Sequence, residues 1–403
     1  MFFGWYIVGG TFIAQLFLIG FFSYSVSLFV APVQAEFGVG LEEVMYSLSF
    51  GTLFGLVAMP AGGILIDRYS TRWVMSVGAI LFAAGLYLLS IASSITQYVV
   101  LFGLTMAVGN ALAGSQPSST TISRWFTTSR GRALGISALG TSVGGIVVPL
   151  LLAYWIEQYG WRLALEYFSY AVALVVLPTV ALSIRGTPAE AGLEVEDAQL
   201  QASATASTAI GALTTRDIIS NSSYWLIGLP LSLLFCVYLS VLSNITPYVT
   251  GLGHSTEQAG QLITVIAIGG IVGKVSFGFA ADKINLKIGL WLAIGLVIIG
   301  FLILATEPSY SLMLVAATLL GLATGGQLPV WGAMMARAFG LVSYGRAMGL
   351  MSPMISLIVM PGFIVAGKLV DMTGNYVLLL NVFCVVLVVA AIVLAPLKLD
   401  KDQ

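Results

Sequence analysis

The chain has 403 residues, of which 8% are charged and 59% hydrophobic, with a formal net charge of −1. Soluble proteins carry about 25% charged residues, so this composition cannot cover a water-facing surface and the surrounding solvent is lipid. Cys236 and Cys384 both lie inside apolar runs, which argues against a disulfide framework and fits core packing.

A helix needs about 20 apolar residues to cross a hydrocarbon core of ~30 Å. Twelve runs reach that length: 5–30, 44–66, 73–94, 97–121, 133–156, 162–184, 225–250, 258–281, 288–306, 310–336, 347–369 and 376–397. They predict an all-α membrane protein of twelve transmembrane helices in two pseudo-symmetric six-helix halves, 1–184 and 225–403. The first run lacks a basic n-region and is too long for an h-region, so it reads as a span and not as a signal peptide. With both termini on one side, thirteen Lys and Arg residues fall on one face and only Arg162 and Lys368 on the other. The positive-inside rule then places both termini in the cytoplasm of an integral plasma (inner) membrane protein. Residues 185–224, rich in Ala, Ser and Thr with Glu190, Glu194, Glu196 and Asp197, read as a cytoplasmic linker, part helix and part loop.

Span one opens on FGWYIVGGTF (3–12) and carries Phe21, Phe22 and Tyr24. Span two ends in GILIDRYSTR (63–72), and span eight ends in GFAADKINLK (278–287). Both read glycine, three apolar residues, Asp, a base and then a second base. Asp67 with Arg68 and Arg72, and Asp282 with Lys283 and Lys287, are placed to form ion pairs that hold two bundles in one state and release them in another. Simple topology anchoring needs the bases but not the matched Asp and Gly. Other landmarks repeat as well: Arg132-Ala-Leu-Gly returns 214 residues later as Arg346-Ala-Met-Gly, and Glu157-Gln-Tyr-Gly160 returns as Asp371-Met-Thr-Gly374. Arg132 and Arg346 therefore join the gating set. A chain written as two related halves of membrane helices is the signature of a carrier that rocks about a central site.

Span four carries Asn110, Gln116 and Pro117, and span five is thin along Gly135, Gly140, Gly144 and Gly145. A thin face admits a neighbouring backbone or a substrate equally well. In the second half, Tyr238 and Asn244 lie in span seven and Gln327 and Pro329 in span ten. Tyr24, Asn110, Gln116, Tyr238, Asn244 and Gln327 are candidates to hydrogen-bond a carboxylate, although each serves equally to tie helices together. Pro117 and Pro329 occupy comparable places and predict kinks or hinges.

Span eight holds the base that belongs to neither face. Lys274 lies eight residues before Asp282, roughly 12 Å along a helix axis, near the middle of the hydrocarbon. A base there costs about 2.5–3.5 kcal/mol on insertion scales and normally faces a bundle interior or a wet cavity. Gly270 and Gly278 share its face, with Ala267 and Ala281 beyond, which leaves room for a ligand. An anion ~4 Å from the ammonium gains about 4 kcal/mol at an effective dielectric of ~20. Snorkelling toward the cytoplasm is the alternative.

The paired loops resemble those of the major facilitator superfamily, with Ser70 and Asn285 where a glycine is common. The block RWFTTSRGRALGISALGTSVGG (124–145), AGKLVDMTGNY (366–376) and the Gly-Trp start are similar to the monocarboxylate transporters and the neighbouring oxalate–formate exchangers. That resemblance implies carriage of small organic acids such as lactate or pyruvate, by proton symport or anion exchange, with no cofactor. Related carriers place an arginine at the Lys274 position, so the resemblance carries a binding role over to Lys274. Animal members also have an acid one turn earlier, where this chain has Gly270, and a lysine in span one, where it reads Gly20-Phe-Phe-Ser-Tyr-Ser25. The oxalate exchanger has a second base in span eleven, and 347–367 has none; one positive charge fits one carboxylate. Lysine, unlike arginine, shifts its protonation readily when buried, which offers another route to proton coupling.

The expected partners are a small organic anion, protons and the lipid bilayer, with no nucleic acid, no metal, and a functional monomer. The chief alternative is a drug or metabolite exporter of the same superfamily working as a proton antiporter. Against it, GTSVGG in span five lacks the Gly-Pro usual in that motif. An intramembrane enzyme would need buried catalytic groups, but the only histidine, His254, lies in a loop and no HExxH or paired carboxylates occur in a span.

Overall fold

The computed structural model describes residues 3–126, 130–186, 213–281 and 285–397. In lipid every backbone N–H and C=O must be bonded within its own element. All regular structure among the described residues is accordingly helical. Among the described residues, twelve helices have the length and apolarity to cross a membrane: Gly4–Ser25, Leu41–Ile66, Thr71–Ser90, Ile95–Trp125, Arg132–Tyr159, Trp161–Ser183, Ser222–Ser243, Thr256–Phe277, Leu286–Leu304, Tyr310–Gly340, Ser343–Thr373 and Val377–Leu394. They are called spans one to twelve below, and each coincides with one predicted run. The largest end displacements have local causes. Span one passes into a further helix, Ser27–Phe37, and span seven stops at Asn244 before a short helix, Ile245–Gly251.

Several spans depart from ideal geometry. Gly20–Ser25, Phe102–Ala107 and Val172–Val176 form wide π turns, which occur mostly as short insertions and often at functional sites. In span one the Ser25 hydroxyl donates to the Gly20 carbonyl at 2.8 Å, closing the widened turn. Span four breaks at Gly114 (φ −83°, ψ −143°) and restarts as Ser115–Trp125. The kink expected at Pro117 thus sits three residues earlier. Proline then occupies the first turn of the restarted helix, where its missing N–H costs little. Spans ten and eleven are separated at Gly340 (φ 71°, ψ 160°), a conformation that glycine alone adopts without strain.

The packing divides into two compact units. One holds the first six spans together with Leu242–Ala267 and Phe363–Met372; the other holds the described chain from Leu213 to Val241, Ile268–Gly362 and the chain from Thr373. Of the expected linker 185–224, residues 187–212 lie outside the described residues. Its end is helical: Thr214 and Asp217 form a reciprocal capping box at the start of Thr215–Ser220. These hydrogen bonds, led by the Thr214 hydroxyl, hold the Asp217 carboxyl below its ordinary range.

Within the first unit, on the face opposite the basic loops, one knot joins three separate parts of the chain: the end of the helix after span one, the end of span three and the start of span six. Arg162 Nε donates to Glu36 Oε1 at 2.8 Å, Nη1 to the Ser90 carbonyl at 2.6 Å and Nη2 to the Ala92 carbonyl at 2.7 Å. Trp161 Nε1 donates to the other Glu36 oxygen at 2.5 Å, and Arg162 lies 4.5 Å from the Trp161 ring centroid. The Arg162 hydrogen bond holds the Glu36 carboxyl below its ordinary value of 4.5, assisted by Trp161 and opposed by partial burial. A depressed folded-state pKa means that the stabilisation is fully present above the unfolded-state value and is lost as pH falls through the folded-state value. The thermal midpoint of the purified protein is therefore expected to drop as pH falls below about 4.5. Glu36→Gln should flatten this Glu36 contribution and lower the midpoint by a few degrees at neutral pH, as read by a pH series of unfolding curves.

Candidate functional site

In the second unit, span eight belongs to a helix that continues to Ala281, so Lys274 stands seven residues inside its described end. Its side chain is half-buried. The backbone beside it is in close contact with span ten. A Cβ on Gly273 would collide with the Leu322 carbonyl oxygen and approach Gly325 Cα at 3.1 Å. A Cβ on Gly325 would meet the Gly270 carbonyl and the Lys274 backbone nitrogen, the latter at 2.7 Å. Gly269 is equally close to Thr318 and Gly321. Gly269, Gly273 and Gly325 thus admit a neighbouring backbone, whereas a Cβ on Gly270 would meet only the Gly321 carbonyl oxygen, at an ordinary 3.8 Å. Gly278 and Ala281 lie among side chains that are not described.

Two residues beyond Gly325, Gln327 is 1% exposed. Neither its Nε2 nor its Oε1 finds a hydrogen-bond partner among the described residues. A buried amide left unmet costs about 1–3 kcal/mol, so it offers a donor and an acceptor to a solute or a water. Tyr238, in the same unit, is 3% exposed. Nearby, the Trp331 indole N–H donates to Met351 Sδ at 3.2 Å and the Tyr224 hydroxyl to the Leu350 carbonyl at 2.8 Å.

The remaining predicted binding residues lie in the first unit. Tyr24 stands in the π turn of span one, and its ring abuts Gly145, whose Cβ would lie 3.1 Å from two ring carbons. Gly140 and Gly144 back onto the Phe12 and Leu16 carbonyls of span one. The thin face of span five is therefore occupied by helix packing at these three glycines, while a Cβ on Gly135 would meet open space. Asn110 Oδ1 is buried without a hydrogen-bond partner among the described residues, just before the break at Gly114, and Gln116 is exposed just after it. Asn244 ties the end of span seven down: its Nδ2 donates to Met45 Sδ at 3.5 Å and to Ser243 Oγ at 3.5 Å. Phe21 is 2% exposed and packs on Phe29, Phe82 and Phe168; Phe22 stacks on Phe102.

The Major Facilitator Superfamily profile matches residues 11–306 and 252–402, essentially the whole chain. The chain belongs to the major facilitator superfamily. It is 29% identical over 364 residues to the fujikurins efflux protein of Gibberella fujikuroi, covering 89% of this chain and 74% of that one. It is 23% identical to human monocarboxylate transporter 12 (93% and 76% covered) and 25% identical to bovine monocarboxylate transporter 13 (93% and 84%). In structure it matches a bacterial homologue of the human lysosomal transporter Spinster, solved inward-facing and unoccupied. That match has a TM-score of 0.70 at 17% identity and covers 98% of this chain and 95% of the other. It establishes the fold.

The superfamily loops between spans two and three, and eight and nine, are described only in part here. The Asp67 side chain and residues Asp282 and Lys283 lie outside the described set. Arg68 ends the helix of span two and is exposed. The other bases engage rings and backbone carbonyls. Arg72 lies 5.9 Å from the Trp73 ring centroid and Arg132 5.8 Å from that of Trp5. Arg124, outside the predicted gating set, donates to the Ile66 carbonyl at 3.3 Å. Lys287 Nζ reaches the Ala395 carbonyl and, at 3.3 Å, that of Leu397. Arg346 reaches the Leu213 carbonyl, while the Leu213 N–H donates to Ser343 Oγ at 2.9 Å. Bases bonded to carbonyls at helix C-termini stabilise those ends through the helix dipole.

The crossing of spans eight and ten makes a direct prediction. Gly273→Val should destabilise the purified protein by about 1–3 kcal/mol through overpacking, whereas Gly349→Ala, whose Cβ enters open space, should leave stability unchanged or raised. Parallel thermal unfolding of the two variants checks this.

Proposed function

We propose that the chain carries small monocarboxylates across the membrane by alternating access, with Lys274 binding the carboxylate. The observation that carries this reading is a half-buried base inside the helix of span eight, seven residues before its end at Ala281, in the same compact unit as the Gln327 amide, which is unmet among the described residues. The ammonium supplies charge selection, while Gln327 and Tyr238 supply hydrogen bonds that fix the orientation of the solute. The relatives named monocarboxylate transporters support the solute class. The bias of bases to one face supports a plasma-membrane orientation with both termini cytoplasmic. On this reading the loops at Asp67 and Asp282 are gates on the cytoplasmic side, and the protein works as a monomer.

In proteoliposomes Lys274→Ala should abolish uptake of labelled lactate or pyruvate, and full-rate uptake by that variant sinks the assignment. An imposed pH gradient separates the two modes of coupling: it accelerates proton symport and leaves one-for-one anion exchange unchanged. Gln327→Leu should keep or raise thermal stability, because it removes orphaned polar atoms, yet raise KM severalfold. A variant with unaltered KM assigns Gln327 no part in binding. The second reading, export of a lipophilic metabolite, is favoured by the efflux protein among the relatives. Tighter binding of cationic dyes than of monocarboxylates to the purified protein would favour it.

A further inference from the structure

The repeated Glu157 and Asp371 motifs have no part in the proposed binding site, yet in the first unit each does the same job. The helix of span two begins at Leu41 after Gly40, a cap residue with no side chain to offer. The first N–H groups of a helix lack internal partners. Two of them are met from 330 and 329 residues away. The N–H of Leu41 donates to Asp371 Oδ1 at 2.8 Å and that of Glu42 to Oδ2 at 2.7 Å. The approach is tightly built: a Cβ on Gly40 would lie 2.7 Å from Asp371 Oδ2, and one on Gly367, a turn before Asp371, would lie 2.6 Å from Glu42 Cα.

The counterpart is at span eight. The N–H of Glu257, in the first turn, donates to Glu157 Oε1 at 3.0 Å. Glu157 and Asp371 are related by 214 residues, and Glu42 and Glu257 by 215, the offset that also relates Asp67 to Asp282. Each carboxylate stands three residues before a glycine of positive φ that ends its helix, Gly160 (83°) or Gly374 (71°). One contact is thus written twice, once in each direction of the repeat. The copies differ in strength. Span eight has its own capping box, with Gln258 N–H on Ser255 Oγ at 3.1 Å and Ser255 N–H on Gln258 Oε1 at 3.0 Å, so Glu157 adds one bond where Asp371 supplies two.

We propose that Asp371 and Glu157 are detachable helix caps, a paired latch that holds the transporter closed on the face opposite the basic loops, with Asp371 the stronger member. A carboxylate on a helix N-terminus is a charge-assisted contact worth a modest amount where water can replace it. Such a cap releases into water at small cost, as a gate must. The Glu36–Arg162 knot, with four hydrogen bonds that tie the start of span six to the chain after spans one and three, is a fixed joint by comparison. The latch rests on the alternating-access reading and is independent of Lys274 and of the solute.

The test reads opening without substrate. In a Cys236→Ser, Cys384→Ser background, Ser27→Cys places a thiol at a buried position that pairs with Thr246 at 3.0 Å. A membrane-impermeant maleimide is applied from the face opposite the basic loops. Asp371→Asn should speed labelling about two- to tenfold, the range of a helix-terminus charge. Glu157→Gln should speed it less and the double variant most, while Glu307→Gln should match the parent. Gly40→Ala, which pushes the carboxylate away, should reproduce Asp371→Asn. Unchanged labelling in both Asp371→Asn and Gly40→Ala overturns the latch, as does a lowered unfolding temperature without faster labelling.

Discussion

Inside a hydrocarbon core no backbone amide can trade its hydrogen bond for one to water, and a group left unmet is costly. That constraint makes the spans helical, and it also decides how they meet. Lipid tails are as apolar as leucine, so helices associate through close packing and not through hydrophobic burial alone. Gly140 and Gly144 of span five lie on the backbone of span one, and Gly273 of span eight and Gly325 of span ten lie on each other's helix. At both crossings a larger residue would hold the helices apart. The polar side chains near these crossings are therefore held by a rigid frame.

Where the helical ladder is interrupted, some other group has to satisfy the backbone. The π turn at Gly20–Ser25 is closed by a serine hydroxyl, and the capless start of span two is met by an aspartate from span eleven. Interruptions also cluster around the candidate residues. Tyr24 is in a π turn, Asn110 and Gln116 flank the break at Gly114, and Asn244 stands at the stop of span seven. A widened or broken ladder redirects side chains that a regular helix would keep in strict register. These interruptions give polar side chains positions that an unbroken span would deny them.

The spans were legible because membrane helices are written locally: length and apolarity suffice, and the break at Gly114 moved only a kink. Lys274 was legible for a related reason, since a charge deep in an apolar run is conspicuous without knowledge of its neighbours. Partners were not legible. That Gly270 lies beside span ten, that Asn244 bonds Met45, or that Gln327 is left unmet depends on which helix lies opposite, and the sequence of one helix does not carry that. Asp371 and Glu157 were visible as a repeat, but their task depends on N–H groups far away in the chain. A capless glycine start at Gly40 was the available signal.

The repeat is faithful at the ends of the helices and fails in their middle. On the proposed reading, rocking opens each face about equivalent hinges, so loops such as those at Asp67 and Asp282, and caps such as Glu157 and Asp371, would be useful in duplicate. A binding charge is different. The 215-residue offset that carries Asp67 to Asp282 places Met59 opposite Lys274. A second base there would add an insertion cost of about 2.5–3.5 kcal/mol, while a single carboxylate would still compensate only one of the two charges. On the proposed reading, a monoanion therefore favours a doubled scaffold with an undoubled charge, whereas a dicarboxylate would favour a second base.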